Sequence, residues 1–214
     1  MAEYIEFLNR EEWLKSRINF LGASEIANAM GIGYETPLNL WKEKTGRKEH
    51  TDLSANTRVK YGTEAEEHIR ALFTLQHKDE YAIEYHAFRV YRHDKYSFLT
   101  ATLDGELTRL ADKSKGVWEC KTAWLLSKAD MQKWENNSIP QNYYVQVCEQ
   151  LAVTNYKFAV VTAQLIMPDG NSEIRHYQIE RDEIENDIKY TQQEAVKFWA
   201  YVMSDKEPPQ KLKL

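Results

Sequence analysis

Apolar residues recur along this chain with two different periods, and the change of period organises it. The first seventy-odd positions carry helical spacing broken by start and stop signals. Asn9 and Glu12 have capping-box spacing ahead of Trp13 and Leu14. Ser24 precedes Glu25 to Met30 with Gly31 beyond, which predicts a second helix with Ser24 as its N-cap. Thr36 followed by Pro37 opens a third, carrying Leu38, Leu40 and Trp41 and stopped by Gly46. Residues 47 to 56, with Lys48, His50 and Asp52, are polar and unpatterned and read as a loop. Thr63 and Glu66 repeat the capping-box spacing and predict a helix with Ala65, Ile69, Leu72 and Phe73 on one side.

Alternation of period two then takes over. Glu80 to Arg92, Tyr96 to Leu103 and Gly116 to Lys121 are rich in β-branched and aromatic residues and predict three strands. Pro140 starts a helix with Tyr144, Val147, Cys148 and Leu151 on one side. Tyr156 to Met167 reads as a buried strand, turned by Pro168-Asp169-Gly170-Asn171 into a partner at Glu173 to Ile179. A long helix after Arg181 holds Ile184, Ile188, Ala195, Phe198, Trp199 and Val202, and Pro208-Pro209 closes it before a basic tail. Helices first, then strands with helices inserted, predict an α/β (α+β) fold with a central mixed sheet flanked by helices. The 214 residues suit one domain: a helical N-terminal part at 1–62, a core at 63–203 and a tail at 204–214.

Composition narrows the class. With 43% hydrophobic, 29% charged and 12% aromatic residues the chain reads as an ordinary globular protein. Its longest largely apolar run, Phe158 to Met167, is far short of the roughly 20 residues a bilayer requires, so no membrane association is expected. The acidic N-terminus lacks a signal-peptide core, so the cytoplasm is the expected location. Cys120 and Cys148 read as two reduced thiols. The six histidines show no ligand spacing. A net charge of −5 argues at first against a polyanion binder.

Candidate chemistry lies in the strands. Residues two apart on a strand share a face, so Glu119 and Lys121 project together while Cys120 points the other way into the core. Asp104 ends the preceding strand, and a hairpin-like connection can bring its carboxylate beside Glu119. Two hard oxygen ligands for Mg²⁺ with an ammonium next door suit phosphodiester hydrolysis. A Glu-x-Lys pair alone is ordinarily a solvated strand face, and Asp-Gly alone is a turn; their combination carries the reading.

Ala101-Thr102-Leu103-Asp104-Gly105 followed by Glu119-Cys120-Lys121 resembles the PD-(D/E)XK nuclease motif. The rest of the chain is similar to the YqaJ-type phage recombination exonucleases. The matching stretches are Arg17 and Leu21 to Glu25, Gly62 to Glu66, Gln146-Val147 leading into Val153-Thr154, and Ile179 to Glu183. Leu103 stands where the motif's name has proline, a local backbone change that removes no ligand.

The resemblance implies a restriction-endonuclease-like core in which Asp104, Glu119 and the Cys120 carbonyl bind Mg²⁺, with Mn²⁺ a possible substitute. Lys121 would assist the attacking water, Glu66 would complete the site near a second metal, and Gln146 would position the water or the lysine. Arg17, Ser24 and Thr102 match the family's 5′-phosphate pocket, and a helix N-terminus at Ser24 would offer free N–H groups to that phosphate. It further implies a 5′-to-3′ exonuclease acting on linear double-stranded DNA ends, releasing mononucleotides and leaving 3′ single strands for recombination. A ring-shaped homotrimer, a single-strand annealing partner, and a phage or prophage gene in a bacterial host complete the picture. Alternatives are another nuclease of the superfamily, an endonuclease or repair enzyme, and a DNA-end-binding protein that has lost catalysis.

The charge can then be resolved. Residues 62–85 and 171–187 each hold six acidic and two basic side chains, so the remainder of the chain is net basic. A localised basic surface from Arg17, Lys42, Lys44, Arg47, Lys48, Arg58 and Lys60 is expected, with salt-sensitive binding.

Overall fold

The computed structural model describes residues 3–50, 53 and 55–209; Asp52 of the polar loop and the basic end of the tail lie outside them. The N-terminal part runs β1 (Glu3–Glu6), α1 (Arg10–Ser16), β2 (Leu21–Gly22), a short 3₁₀ turn at Ala23–Glu25, α2 (Ile26–Ala29) and α3 (Pro37–Lys44). Asn9 caps α1, its side chain accepting from Glu12 N–H at 3.0 Å, and Thr36 caps α3 in the same way, accepting from Asn39 N–H. Helix α4 (Thr57–His77) follows, then β3 (Tyr81–Glu84), β4 (Arg89–Arg92), β5 (Leu99–Ala101), β6 (Gly105–Arg109) and β7 (Lys115–Trp124). The chain continues through α5 (Lys128–Gln132), α6 (Gln141–Thr154), the hairpin β8 (Phe158–Ile166) and β9 (Ser172–Glu180), and ends in α7 (Glu185–Met203).

Two sheets form where the sequence pattern suggests one. A five-stranded mixed sheet has the order β3-β6-β7-β8-β9, with β7 and β8 parallel and the other pairs antiparallel. A smaller four-stranded sheet has the order β1-β4-β5-β2. The alternating stretch Glu80 to Arg92 is therefore two strands in two different sheets, separated by a turn in which Phe88 adopts φ 59°. The apolar phase slips by one residue at that break, from Tyr81, Ile83 and Tyr85 to Phe88 and Val90.

The large sheet is covered on both faces. Helix α6 packs against β7, β5, α2 and α7 over a core that includes Val117, Val161, Val147, Leu151, Ile188 and Phe198. Helix α4 covers the other face with Ile69 and Phe73 against Leu107, Trp118, Phe158 and Val160. Burying each such large side chain stabilises the fold by about 1.5–3 kcal/mol. Along β7, Val117 and Glu119 thus face α6, while Trp118 and Cys120 face α4, as the strand period requires.

Two expected helix starts are corrected. Helix α4 begins at Thr57, where the Asn56 side chain accepts from the N–H groups of Arg58 and Val59. Thr63 lies inside the helix with its hydroxyl turned back to the Val59 carbonyl, so the capping box with Glu66 does not form, and α4 runs through residue 62. Ser24 is not an N-cap either. It is the middle residue of the 3₁₀ turn, and the Gly22 N–H is taken by the Glu25 carboxylate at 2.9 Å. Gly62 allows α4 to pass β7 closely: a Cβ there would lie 2.9 Å from the Thr122 hydroxyl.

Candidate active site

The site is built on an unequal hairpin. Pairing of β6 with β7 ends at Gly105 opposite Trp118, while β7 continues to Trp124 alongside β8. Among the described residues the edge of β7 from Glu119 onward has no strand partner on that side. Asp104, the residue before β6, fills the gap with its side chain, Oδ2 accepting from Cys120 N–H at 2.8 Å. The hairpin connection inferred from sequence does bring Asp104 to Glu119.

Glu119 is 2% exposed, and both of its oxygens are held. Oε1 accepts from Lys121 Nζ at 2.6 Å and from Gln146 Nε2 at 2.6 Å; Oε2 accepts from Gln150 Nε2 at 2.6 Å. Gln146 Oε1 in turn accepts from Lys121 Nζ at 3.1 Å. Gln146 and Gln150 lie one helical turn apart on α6, which is why both reach the same carboxylate. The Lys121 ammonium also lies over the Tyr143 ring, 4.9 Å from its centroid. Burial alone would lower the lysine, but Glu119 and then Asp104 outweigh it and hold the ammonium above its ordinary range.

Glu66, from the middle of α4, lines the same cavity and bonds Arg70 at 3.0 Å; Arg70 also donates to the Asp104 carbonyl at 2.8 Å. Burial, followed by the Glu119 and Glu66 carboxylates, pushes the Asp104 carboxyl well above the usual aspartate range. Burial likewise raises Glu66. Among the described residues no group of three or more His, Cys, Asp and Glu side chains closes into a ready-made metal cage. The donor set nevertheless fits a hard divalent cation. Two carboxylates, Asp104 and Glu119, flank the Cys120 backbone, all the donors are oxygen, and the crowded negative charge at Asp104 is what a cation would relieve. Cys120 itself packs against the α4 cluster, and burial and then Asp104 push its thiol up, away from a nucleophilic thiolate.

The residues assigned to a phosphate end lie in the same cavity. Its volume is about 1170 Å³, and Arg17, Ser24 and Thr102 line it together with Asp104, Glu119 and Lys121. Ser24 and Thr102 are exposed to it, and the Thr102 carbonyl is held by Gln150 at 3.2 Å. Thr102 and Asp104 fall in the connection between β5 and β6, which belong to different sheets, rather than on one strand.

The expected basic surface is smaller than its residue list. Lys44 is buried against Glu25 at 2.7 Å. Arg47 pairs with Asp205, Lys48 with Glu35 and Glu43, and Lys60 reaches Glu64 at 3.9 Å. Arg58 lies over the Trp124 ring at the cavity. Sequence reasoning missed Gln150, Arg70 and Tyr143, which hold the others, and named Glu25 and Lys44 without their part in holding Arg17. Gln150 and Arg70 carry the signal of a four-residue offset from Gln146 and Glu66; Tyr143, Glu25 and Lys44 carry none that is local.

An acid at the start of a β-hairpin, Glu-x-Lys on its second strand and a further acid on the covering helix thus line one cavity. Residues 12–157 match the YqaJ-like viral recombinase domain, and the chain belongs to that family. It is 26% identical over 193 residues to the YqaJ protein of Bacillus subtilis (strain 168), covering 90% of this chain. The chain spans 56% of that relative's length. In fold it resembles an alkaline exonuclease, LHK-Exo from Laribacter hongkongensis, with TM-score 0.67, 18% identity, and 92% and 94% of the two chains covered. The same enzyme is similar in its complex with dAMP, at TM-score 0.66 and 17% identity over 92% and 94% of the chains. A phage related exonuclease from Haemophilus somnus 129PT matches with TM-score 0.57 and 14% identity, over 87% of this chain and 96% of that one. No helix among the described residues is long and apolar enough to cross a membrane.

Proposed function

We propose that this chain is a metal-dependent 5′-to-3′ exonuclease that degrades one strand of linear duplex DNA from its end, releasing mononucleotides and leaving 3′ single strands for phage-type recombination. One observation carries the reading: the carboxylate and lysine cluster shares a single cavity with Arg17, Ser24 and Thr102. A phosphate held by the second group would place the first phosphodiester near the first. The family, and the likeness in fold to an alkaline exonuclease and to a phage related exonuclease, support a nuclease.

In this reading Asp104, Glu119 and the Cys120 carbonyl hold Mg²⁺, with Mn²⁺ able to replace it and Glu66 near a second ion. The metal supplies Lewis acidity toward the phosphodiester and a lowered water pKa. The chain's own groups do the rest. Lys121 Nζ, fixed between Glu119 and Gln146, presents a cation to negative charge developing on the scissile phosphate. Gln146 bridges that lysine and Glu119, so the two keep one relative placement. Arg17 takes the terminal phosphate, and the exposed Ser24 and Thr102 hydroxyls donate to it. On the resemblance, the active species is a homotrimeric ring working with a single-strand annealing protein in the cytoplasm of a bacterial host.

The test is digestion of linear duplex with 5′-phosphate or 5′-hydroxyl ends, in Mg²⁺ or EDTA, beside a closed circle. Mononucleotide release from phosphorylated ends in Mg²⁺ alone, with the circle intact, is expected. Efficient cutting of the closed circle, or release from 3′ ends, would refute the exonuclease reading.

A further inference from the structure

Arg17 does not stand alone in the cavity wall. Its side chain is 28% exposed, and beneath it lies a buried ion pair: Glu25, with side chain 8% exposed, and Lys44, 3%. Arg17 Nη2 reaches Glu25 Oε1 at 3.1 Å, and Lys44 Nζ reaches Glu25 Oε2 at 2.7 Å. Lys44 also donates to the Arg17 carbonyl at 2.7 Å, and the Trp13 ring lies 5.4 Å from the guanidinium. Burial raises Glu25 on its own, but Lys44 and then Arg17 overcome this and hold the carboxyl below its usual value.

The charges decide what the cavity sees. Glu25 alone would neutralise Arg17, and a terminal phosphate would meet a guanidinium already spent on a carboxylate. Lys44 is too enclosed to be the exposed contact, yet its charge offsets that of Glu25. The triad is left with one net positive charge, and Arg17 is its accessible member. We propose that Glu25 and Lys44 are positioning residues for end recognition: Glu25 aims the Arg17 guanidinium, and Lys44 cancels the charge of Glu25 so that Arg17 favours phosphorylated DNA ends. This rests on the end-pocket reading above.

The experiment uses the full chain and two duplexes that differ only in a 5′-phosphate or a 5′-hydroxyl. Lys44→Gln removes the charge and keeps a hydrogen-bond donor. It should raise KM for the phosphorylated duplex about tenfold and leave kcat within about twofold, with KM for the hydroxyl duplex unchanged. Anisotropy of a labelled phosphorylated duplex in EDTA should show the same loss. The double variant Glu25→Gln, Lys44→Gln returns the net charge to that of the wild type and should recover the preference to within about threefold. A purely structural tie predicts the reverse, since the double variant removes more of it. An unchanged preference in Lys44→Gln, or a double variant as impaired as the single, overturns the proposal. Should Lys44→Gln fail to fold by circular dichroism, the double variant decides: a kept preference supports the charge argument and a lost one overturns it. A wild type that treats both ends alike removes the end-pocket reading itself, and a wild type with a preference that ignores Lys44 removes this inference alone.

Discussion

Glu149 lies on α6 with no exposed surface, and neither of its carboxylate oxygens has a hydrogen-bond partner among the described residues. Burial pushes its pKa from 4.5 to about 8. The folded protein therefore holds a proton that the unfolded chain releases, and the sign follows from linkage. The stability tied to that proton is fully present below about pH 4.5, declines as pH rises, and is lost by the time pH passes about 8. Between pH 5 and pH 8 the loss amounts to about 3–4 kcal/mol, an upper bound because any water admitted to the site reduces it. Glu149→Gln is neutral at every pH and of nearly the same shape. The variant and the wild type should be close in stability at pH 5 and separate by up to roughly 10 °C in Tm at pH 8, the variant being higher. Urea or thermal unfolding of both proteins at pH 5, 6.5 and 8 reads this directly. Parallel pH profiles for the two proteins would show that Glu149 does not carry its proton in the folded state, and the reasoning would fail.

Other consequences are equally concrete. Lys121→Ala should lower kcat for linear duplex by at least about 10²-fold while leaving binding of the DNA end in EDTA nearly unchanged, since its contacts are to Glu119 and Gln146. Gln150→Leu strips a buried carboxylate oxygen of its donor and should cost about 1–3 kcal/mol in urea unfolding, together with a fall in kcat as Glu119 loses its orientation. Gly62→Val forces a Cβ to within 2.9 Å of the Thr122 hydroxyl and pushes α4 off β7; a loss of about 1–3 kcal/mol is expected, and an unchanged Tm would contradict the close approach.

Local signals marked much of the architecture. Asn9 and Thr36 cap the helices their side-chain chemistry announces, Pro140 precedes α6, and Pro168 to Asn171 turns β8 into β9. Each is decided within a few residues, which is why it can be read. The failures share a cause as well. Asn56 won the start of α4 over Thr63 because nothing between them breaks a helix, so the earlier cap takes the turn. Ser24 lost the cap of its turn because the Glu25 side chain folded back onto Gly22 N–H while Arg17 and Lys44 held it there, and those partners come from other elements. The small sheet was invisible because β1 and β2 are short and pair only with β4 and β5, far along the chain.

For the site, the sequence by itself settled which face of a strand Glu119 and Lys121 share, because a period of two is a property of the extended backbone. It also supplied the family motifs. Tertiary structure alone decided how Glu119 is held, with Gln146 and Gln150 of α6 crossing to β7, and how Asp104, just before β6, meets the free edge of β7. It also decided that Lys44, which the sequence placed on a basic surface, is buried beneath Arg17. The reason is physical. Charge and spacing are local and can be counted along a chain, but burial and pairing depend on which distant elements pack together, and these determine what a carboxylate or a lysine can do.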